Sequence, residues 1–96
     1  MKMFMIVYSQ AADYDVIAQF KKAGIKRYTK MEEAHGEGND HEPKLGTHTW
    51  PGKNNVLFVA IPTDQSDTVK DVVKYIKENH PRAGMKAFML PMEESV

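Results

Sequence analysis

A long polar stretch divides this chain into two parts that each carry the patterns of a folded core. Residues 35–55 read HGEGNDHEPKLGTHTWPGKNN and hold three of the four histidines and the only tryptophan. A compact domain seldom accommodates a loop of about 20 residues unless the loop is functional or disordered. We therefore expect regular structure on both sides of this central segment (residues 35–55), and the activity or partner binding to run through it.

The first part predicts a strand, a helix and a second strand. Residues 3–8 form an uninterrupted apolar run, which suits a strand buried on both faces or at an oligomer contact. Asp13 is placed to cap a helix that Gly24 ends. The apolar stripe of that helix is made of Val16, Ile17, Phe20 and Ala23. Residues 25–34 are more polar, and their threonine and tyrosine favour an edge strand.

The second part predicts a strand, a helix and a final strand. Residues 55–62, NVLFVAIP, resemble a buried strand stopped by proline. Thr63 and Asp64 offer capping groups for a helix that ends at His80 and Pro81. Its apolar positions follow the spacing of a single helix face, namely Val69, Val72, Val73 and Ile76. Residues 86–92 predict the fourth strand.

The order βαββαβ predicts an α+β, ferredoxin-like fold for a single domain spanning residues 1–96. In this fold a four-stranded antiparallel sheet carries two helices on one face, and the central segment is the loop between strands 2 and 3. The first and third strands are apolar at nearly every position. The face without helices should therefore need burial as well, which a ring of subunits would supply.

Composition excludes several classes of function. Thirteen basic residues balance thirteen acidic ones, so no broad field attracts nucleic acid or an anionic membrane. There is no cysteine for a disulfide, a thiolate metal site or a nucleophile. The N-terminal apolar run is too short to span a bilayer, and no signal peptide follows it. We expect a cytoplasmic protein without direct membrane insertion or nucleic-acid binding.

The histidines of the central segment are candidate metal ligands. Imidazoles at His35, His41 and His48, with nearby carboxylates, suit divalent transition metals such as zinc, nickel, cobalt or copper. Their spacing matches no defined metal motif, so a solvated loop with scattered histidines is the competing interpretation. A metal-binding sensor or buffer is therefore an alternative function.

Two glycine-containing turns are candidate anion sites. Gly36 and Gly38 permit close approach of backbone amides to an anion, although the spacing is neither a Walker A motif nor a dinucleotide-binding fingerprint. Arg82, Gly84 and Lys86 form a second turn that either grips a phosphate or carries solvated charges. Trp50 is either a packed loop anchor or an exposed residue for partner docking.

Catalytic chemistry has little support in the sequence. No serine or threonine has the context of a nucleophile elbow, and no acid–base pair can be placed. We expect no catalytic residues and no enzymatic activity. A small enzyme with an active site in a cleft between subunits is kept as a further alternative, which a strongly perturbed acid or base would support.

Several segments together resemble the PII signal-transduction proteins and their PII-like relatives. These are the helix end at Ala23, Gly24 and Ile25, the turn at residues 35–38, the strand NVLFVAIP, and the closing GMKAFMLPME. The likeness covers nearly the whole chain, and the closing segment is its most specific part. The similarly folded trimeric CutA proteins are a poorer match.

The resemblance implies a homotrimer with ligand clefts between subunits and a protruding T-loop that contacts a target, such as a membrane transporter or enzyme. The T-loop would be residues 35–55. Adenine nucleotides bind the clefts of PII proteins, and Arg82, Gly84 and Lys86 stand in the region that holds the phosphates. The chain departs from the family at Met85, where PII proteins have glycine. The central segment also has no tyrosine to accept a uridylyl group.

Overall fold

The computed structural model describes residues 1–36 and 53–96, and it confirms the predicted element order. The strands are β1 (Lys2–Ser9), β2 (Thr29–Ala34), β3 (Asn54–Ile61) and β4 (Lys86–Pro91), and the helices are α1 (Asp13–Lys22) and α2 (Ser66–Asn79). Short 3-10 turns at Gln10–Ala12 and Pro81–Ala83 precede α1 and β4, and we call them the β1–α1 turn and the α2–β4 turn. A third lies at Thr63–Gln65.

The strands form one antiparallel sheet in the order β2-β3-β1-β4, which confirms the ferredoxin-like arrangement. Alternate residues of β1 and β3 point into a core beneath the helices, where they meet the predicted α2 stripe. The central members of this core are Phe4, Ile6, Leu57, Val59, Val16, Phe20, Val69 and Ile76. Burying each such side chain stabilises the fold by about 1.5–3 kcal/mol relative to leaving it in water.

The predicted helix caps are wrong. The residue preceding α1 is Ala12 and the one preceding α2 is Gln65, and neither forms a side-chain capping hydrogen bond. Asp13 lies inside the first turn of α1, and Thr63 and Asp64 lie inside a 3-10 turn. Each helix starts as the continuation of a 3-10 turn, so the residues chosen as caps are already in helical backbone. Ala23, predicted in the stripe of α1, is exposed beyond its end.

The face of the sheet without helices is apolar and partly exposed in the single chain. Its central residues, Met3, Met5 and Val7 of β1, alternate with the buried ones and are half-buried. Towards the edges the exposed fraction rises to 49% at Phe88, 47% at Leu90 and 57% at Met31. Among the described residues, no helix is long and apolar enough to cross a membrane.

Candidate functional site

Both ends of the central segment emerge at one end of the sheet, and its last two predicted residues, Asn54 and Asn55, belong to β3 instead of the loop. β1 and β2 finish there at Ser9 and Ala34, and β3 and β4 begin there at Asn54 and Lys86. The antiparallel register fixes this, because Asn54 pairs with both Ser9 and Ala34 while Lys86 pairs with Val7. We call this region the loop end of the sheet, and it contains every predicted site residue that the structure describes.

Gly36 lies where the chain leaves β2. A Cβ atom added to it would come within 3.0 Å of the Asn54 side-chain nitrogen, so a larger residue would require the Asn54 side chain to move slightly. Glu33 has a positive φ of 60° at an irregularity in the β2–β3 pairing. Its carboxylate lies 3.4 Å from Lys53 Nζ, joining the two strands where the central segment departs and returns.

The turn that leads into β4 is fixed by two residues buried in the core. Ala83 and Met85 are buried in the core, whereas Lys86 is exposed. Between the two buried residues, Gly84 adopts a left-handed φ of 58°, which favours glycine. Met85 therefore packs its side chain into the core of this chain, and the lysine that follows it faces outward.

The structure does not place Arg82 and Lys86 on the same face. Paired residues on neighbouring strands share a face, so Lys86 lies with Val7 on the side without helices. Arg82 instead lines a pocket of about 400 Å³ on the side of the helices, between the β1–α1 turn and the α2–β4 turn. We call this the helix-side pocket, and its polar lining is Ser9, Asp15, Asn79, His80 and Arg82.

A partly buried polar cluster at the start of α1 joins that helix to three strands. The carboxylate of Asp13 accepts hydrogen bonds from the Tyr8 hydroxyl at 2.6 Å and the Asn55 amide at 3.0 Å. It also forms an ion pair with Lys30 Nζ at 3.0 Å. One carboxylate thus joins β1, β2 and β3 to the start of α1. Asn55 is 1% exposed, and its Oδ1 has no hydrogen-bond partner.

The cluster shifts the pKa values of its own members. Burial, with the neighbouring Asp13 carboxylate, raises the pKa of the Tyr8 hydroxyl. Burial of Asp13 acts to raise its pKa, but the hydrogen bonds from Tyr8, Lys30 and Asn55 outweigh it and hold the pKa below the usual range. The hydrogen bond to Asp13 raises the pKa of Lys30. The groups with shifted pKa values contact one another, so burial together with the hydrogen bonds and the ion pair within the cluster accounts for the shifts.

The remaining predicted residues are only partly described. His35 is exposed just after β2. Gly38, His41, His48 and Trp50 lie outside the described residues, so the metal and docking assignments stay predictions. Within residues 1–36 and 53–96, no three histidine, aspartate or glutamate side chains come together as a metal site.

The sequence analysis missed the Asp13 cluster and the helix-side pocket. A signal for the cluster exists, because Tyr8 and Asn55 put polar atoms in otherwise apolar strands. No sequence spacing predicts the pocket, because Asp15 and His80 are far apart in the chain and only the fold brings them together.

Comparison with known families decides the assignment. The family model of nitrogen regulatory protein P-II matches residues 1–96, which is the whole chain. The chain belongs to the P-II family. Comparison with curated proteins gave no significant match.

Solved structures of PII-like proteins share the fold of this P-II family chain. The CPII protein of Thiomonas intermedia, bound to ADP and bicarbonate, is 19% identical, with a TM-score of 0.74 over 93% of this chain and 82% of its own. A putative PII-like signaling protein of Thermus thermophilus is 21% identical, with a TM-score of 0.64 over 93% of this chain and 83% of its own. At these identities the likeness concerns the fold.

Proposed function

We propose that this P-II family chain is a regulatory protein that binds a small effector in clefts between the subunits of a homotrimer. The effector is an adenine nucleotide or another anion. The bound protein modulates a membrane transporter or enzyme through the central segment, residues 35–55. It acts by binding and not by catalysis.

One observation carries this proposal: the exposed cation Lys86 lies at the same end of the sheet as both bases of the central segment. Gly84 and Gly36 lie there too, one in a left-handed conformation and one in close approach to Asn54. β4 and β2 are the opposite edges of the sheet, so an anion held at Lys86 would meet the base of a central segment across the proposed cleft between two copies of the chain, not within one copy. This arrangement lets ligand binding alter how the central segment meets a target.

The choice of effector is supported by the relatives and by local charge. The CPII protein has been solved with ADP and bicarbonate, and with ADP, AMP and bicarbonate. The present chain has no net charge, so attraction to a phosphate has to come from individual groups such as Lys86. A lysine ammonium is a suitable point charge for a phosphate group.

The homotrimer is supported by the exposed apolar side of the sheet. Phe88, Leu90 and Met31 expose about half of their surface there, next to the half-buried methionines of β1. Contiguous apolar surface of this kind usually marks a contact with another protein. Copies of the chain packed through this face would also bring Lys86 to a boundary between subunits.

Regulation requires that the effector discriminate between two arrangements of the protein. A ligand with equal affinity for both would shift nothing, however tightly it bound. We place the discriminating contacts at Lys86 and at the backbone near Gly36 and Gly84. These groups all lie at the loop end of the sheet, where the central segment joins it.

Calorimetry with ADP, ATP, AMP and cyclic AMP tests the proposal. We expect at least one nucleotide to bind, and Lys86→Gln to weaken that binding about tenfold, the effect of one charge-assisted hydrogen bond. Lys74→Gln removes an exposed lysine from α2 and is the matched control, for which affinity should not change. Absence of heat with all four nucleotides, from a folded oligomer, would refute the nucleotide effector.

A further inference from the structure

Two opposite charges line the helix-side pocket without neutralising each other. Asp15 and Arg82 both face it, yet no ion pair within 4.0 Å joins them among the described residues. The described partner of Asp15 is His80, whose Nδ1 lies at 4.0 Å, the long limit for an ion pair. Within residues 1–36 and 53–96, the Asp15 carboxylate and the Arg82 guanidinium thus line one pocket without pairing with each other, so a ligand that carries both charges can meet each of them.

The rest of the lining adds neutral hydrogen-bonding groups and space. The Asn79 amide nitrogen donates to the Tyr75 carbonyl at 2.9 Å, which leaves its side-chain oxygen available as an acceptor. Ser9 contributes a hydroxyl, and Ala11 and Ala12 are too small to fill the pocket. A volume of about 400 Å³ falls within the range of small-molecule sites in proteins.

We propose that the helix-side pocket binds a small zwitterion of the class of free α-amino acids. Arg82 holds the carboxylate through its planar guanidinium, and Asp15 receives the ammonium group. A simple anion would leave Asp15 facing its negative charge, whereas a zwitterion satisfies both residues at once. His80 and Asn79 line the same pocket and add hydrogen-bonding groups.

This site is separate from the effector cleft and does not depend on the proposed function. Lys86 extends from the face without helices, whereas the pocket lies on the side of the helices. The pocket nevertheless touches the β1–α1 turn, and the backbone N–H of Gln10 in that turn donates to the Lys53 carbonyl at 2.9 Å. A ligand in the pocket therefore contacts the turn that holds the returning end of the central segment.

The ligand side of the test uses L-alanine, L-serine and L-glutamine, each compared with its N-acetyl and C-amide derivatives, on the complete chain. We expect at least one parent amino acid to bind, and both derivatives to bind about tenfold more weakly because each lacks one charge. Two-dimensional NMR should show the amides of Ala11, Ala12 and His80 shifting. Lack of binding by all three amino acids, or shifts confined to Met5 and Phe58 on the other face, would overturn the proposal.

The protein side of the test removes each charge in turn. Arg82→Gln and Asp15→Asn should each weaken amino-acid binding about tenfold, while Lys74→Gln and Asp71→Asn, exposed on α2 outside the pocket, should not change it. Both pocket residues are exposed, so the variants should fold, and a thermal melt checks this. If Asp15→Asn instead tightens binding and the N-acetyl derivative binds as well as its parent, the pocket is a plain anion site and the zwitterion proposal is wrong.

Discussion

At the scale of the residue, Asp13 decides how the strands at the loop end meet α1. Its carboxylate receives Tyr8, Asn55 and Lys30 from three different strands, at 2.6, 3.0 and 3.0 Å. The sequence analysis placed Asp13 correctly at the start of a helix but gave it the wrong role. An aspartate at that position can either cap the helix or accept hydrogen bonds from side chains of neighbouring strands, and the sequence pattern is the same in both cases. The distinction depends on which residues β3 brings alongside β1, and that register cannot be read from local pattern.

Replacing Asp13 should destabilise the protein and change its response to acid. Asp13→Ala leaves the buried Tyr8 hydroxyl and Asn55 amide without their acceptor, so we expect a loss of about 2–4 kcal/mol in the free energy of unfolding. Urea denaturation at pH 7 and at fixed protein concentration measures it. Asp15→Asn, an exposed carboxylate two positions along α1, is the matched control and should cost far less. Equal losses for the two variants would contradict the role of Asp13.

The pH dependence follows from the lowered pKa of Asp13. The folded state stabilises the ionised Asp13 carboxylate more than the unfolded chain does. The contribution of Asp13 to the free energy of unfolding is therefore complete above its unfolded pKa of about 3.9. It is lost as pH falls through the lower pKa of the folded state. The stability difference between the wild type and Asp13→Asn should therefore shrink when denaturation is repeated from pH 6 towards pH 2. A difference that stays constant over that range would exclude ionised Asp13 as its source.

At the scale of the element, periodicity predicted strands and helices well and their ends less well. The valines of α2 follow the spacing of one buried helix face, and β1 and β3 are continuous apolar runs, so the sequence displays these three elements directly. The 3-10 turns that open both helices depend on how the chain turns from a strand back onto the sheet. The left-handed backbone of Gly84 in the turn before β4 was not predicted either, because it follows from the burial of Ala83 and Met85 on either side of it.

Gly84→Ala tests the conformational need for glycine in the turn before β4. The added Cβ meets nothing within 4 Å, so any cost comes from the backbone φ of 58°. We expect a loss of about 1–2 kcal/mol in the free energy of unfolding, measured by urea denaturation. Gly84→Asn is the matched control and should cost less, because asparagine tolerates the left-handed region better than alanine. Alanine as stable as glycine would show that the turn relaxes to another conformation.

At the scale of the whole molecule, the fold and the family could be predicted from sequence because the resemblance extends along the entire chain. The sequence predicted Arg82 and Lys86 at one ligand site, which stays a prediction; in the single chain the register puts Lys86 on the side without helices, and Arg82 in the preceding turn lines the helix-side pocket. Their closeness in sequence hid this separation, since the chain changes direction at Gly84 between them. The same separation gives the molecule two proposed sites at one end, an effector cleft and a helix-side pocket.

Native mass spectrometry of the complete chain with ADP tests the central claim most directly, because it counts subunits and ligands in one particle. We predict a complex of three chains carrying up to three ADP molecules, with occupancy reduced in Lys86→Gln. A chain that stays monomeric, or a trimer that takes up no ADP at millimolar concentration, would contradict the account of a trimeric regulator with nucleotide clefts.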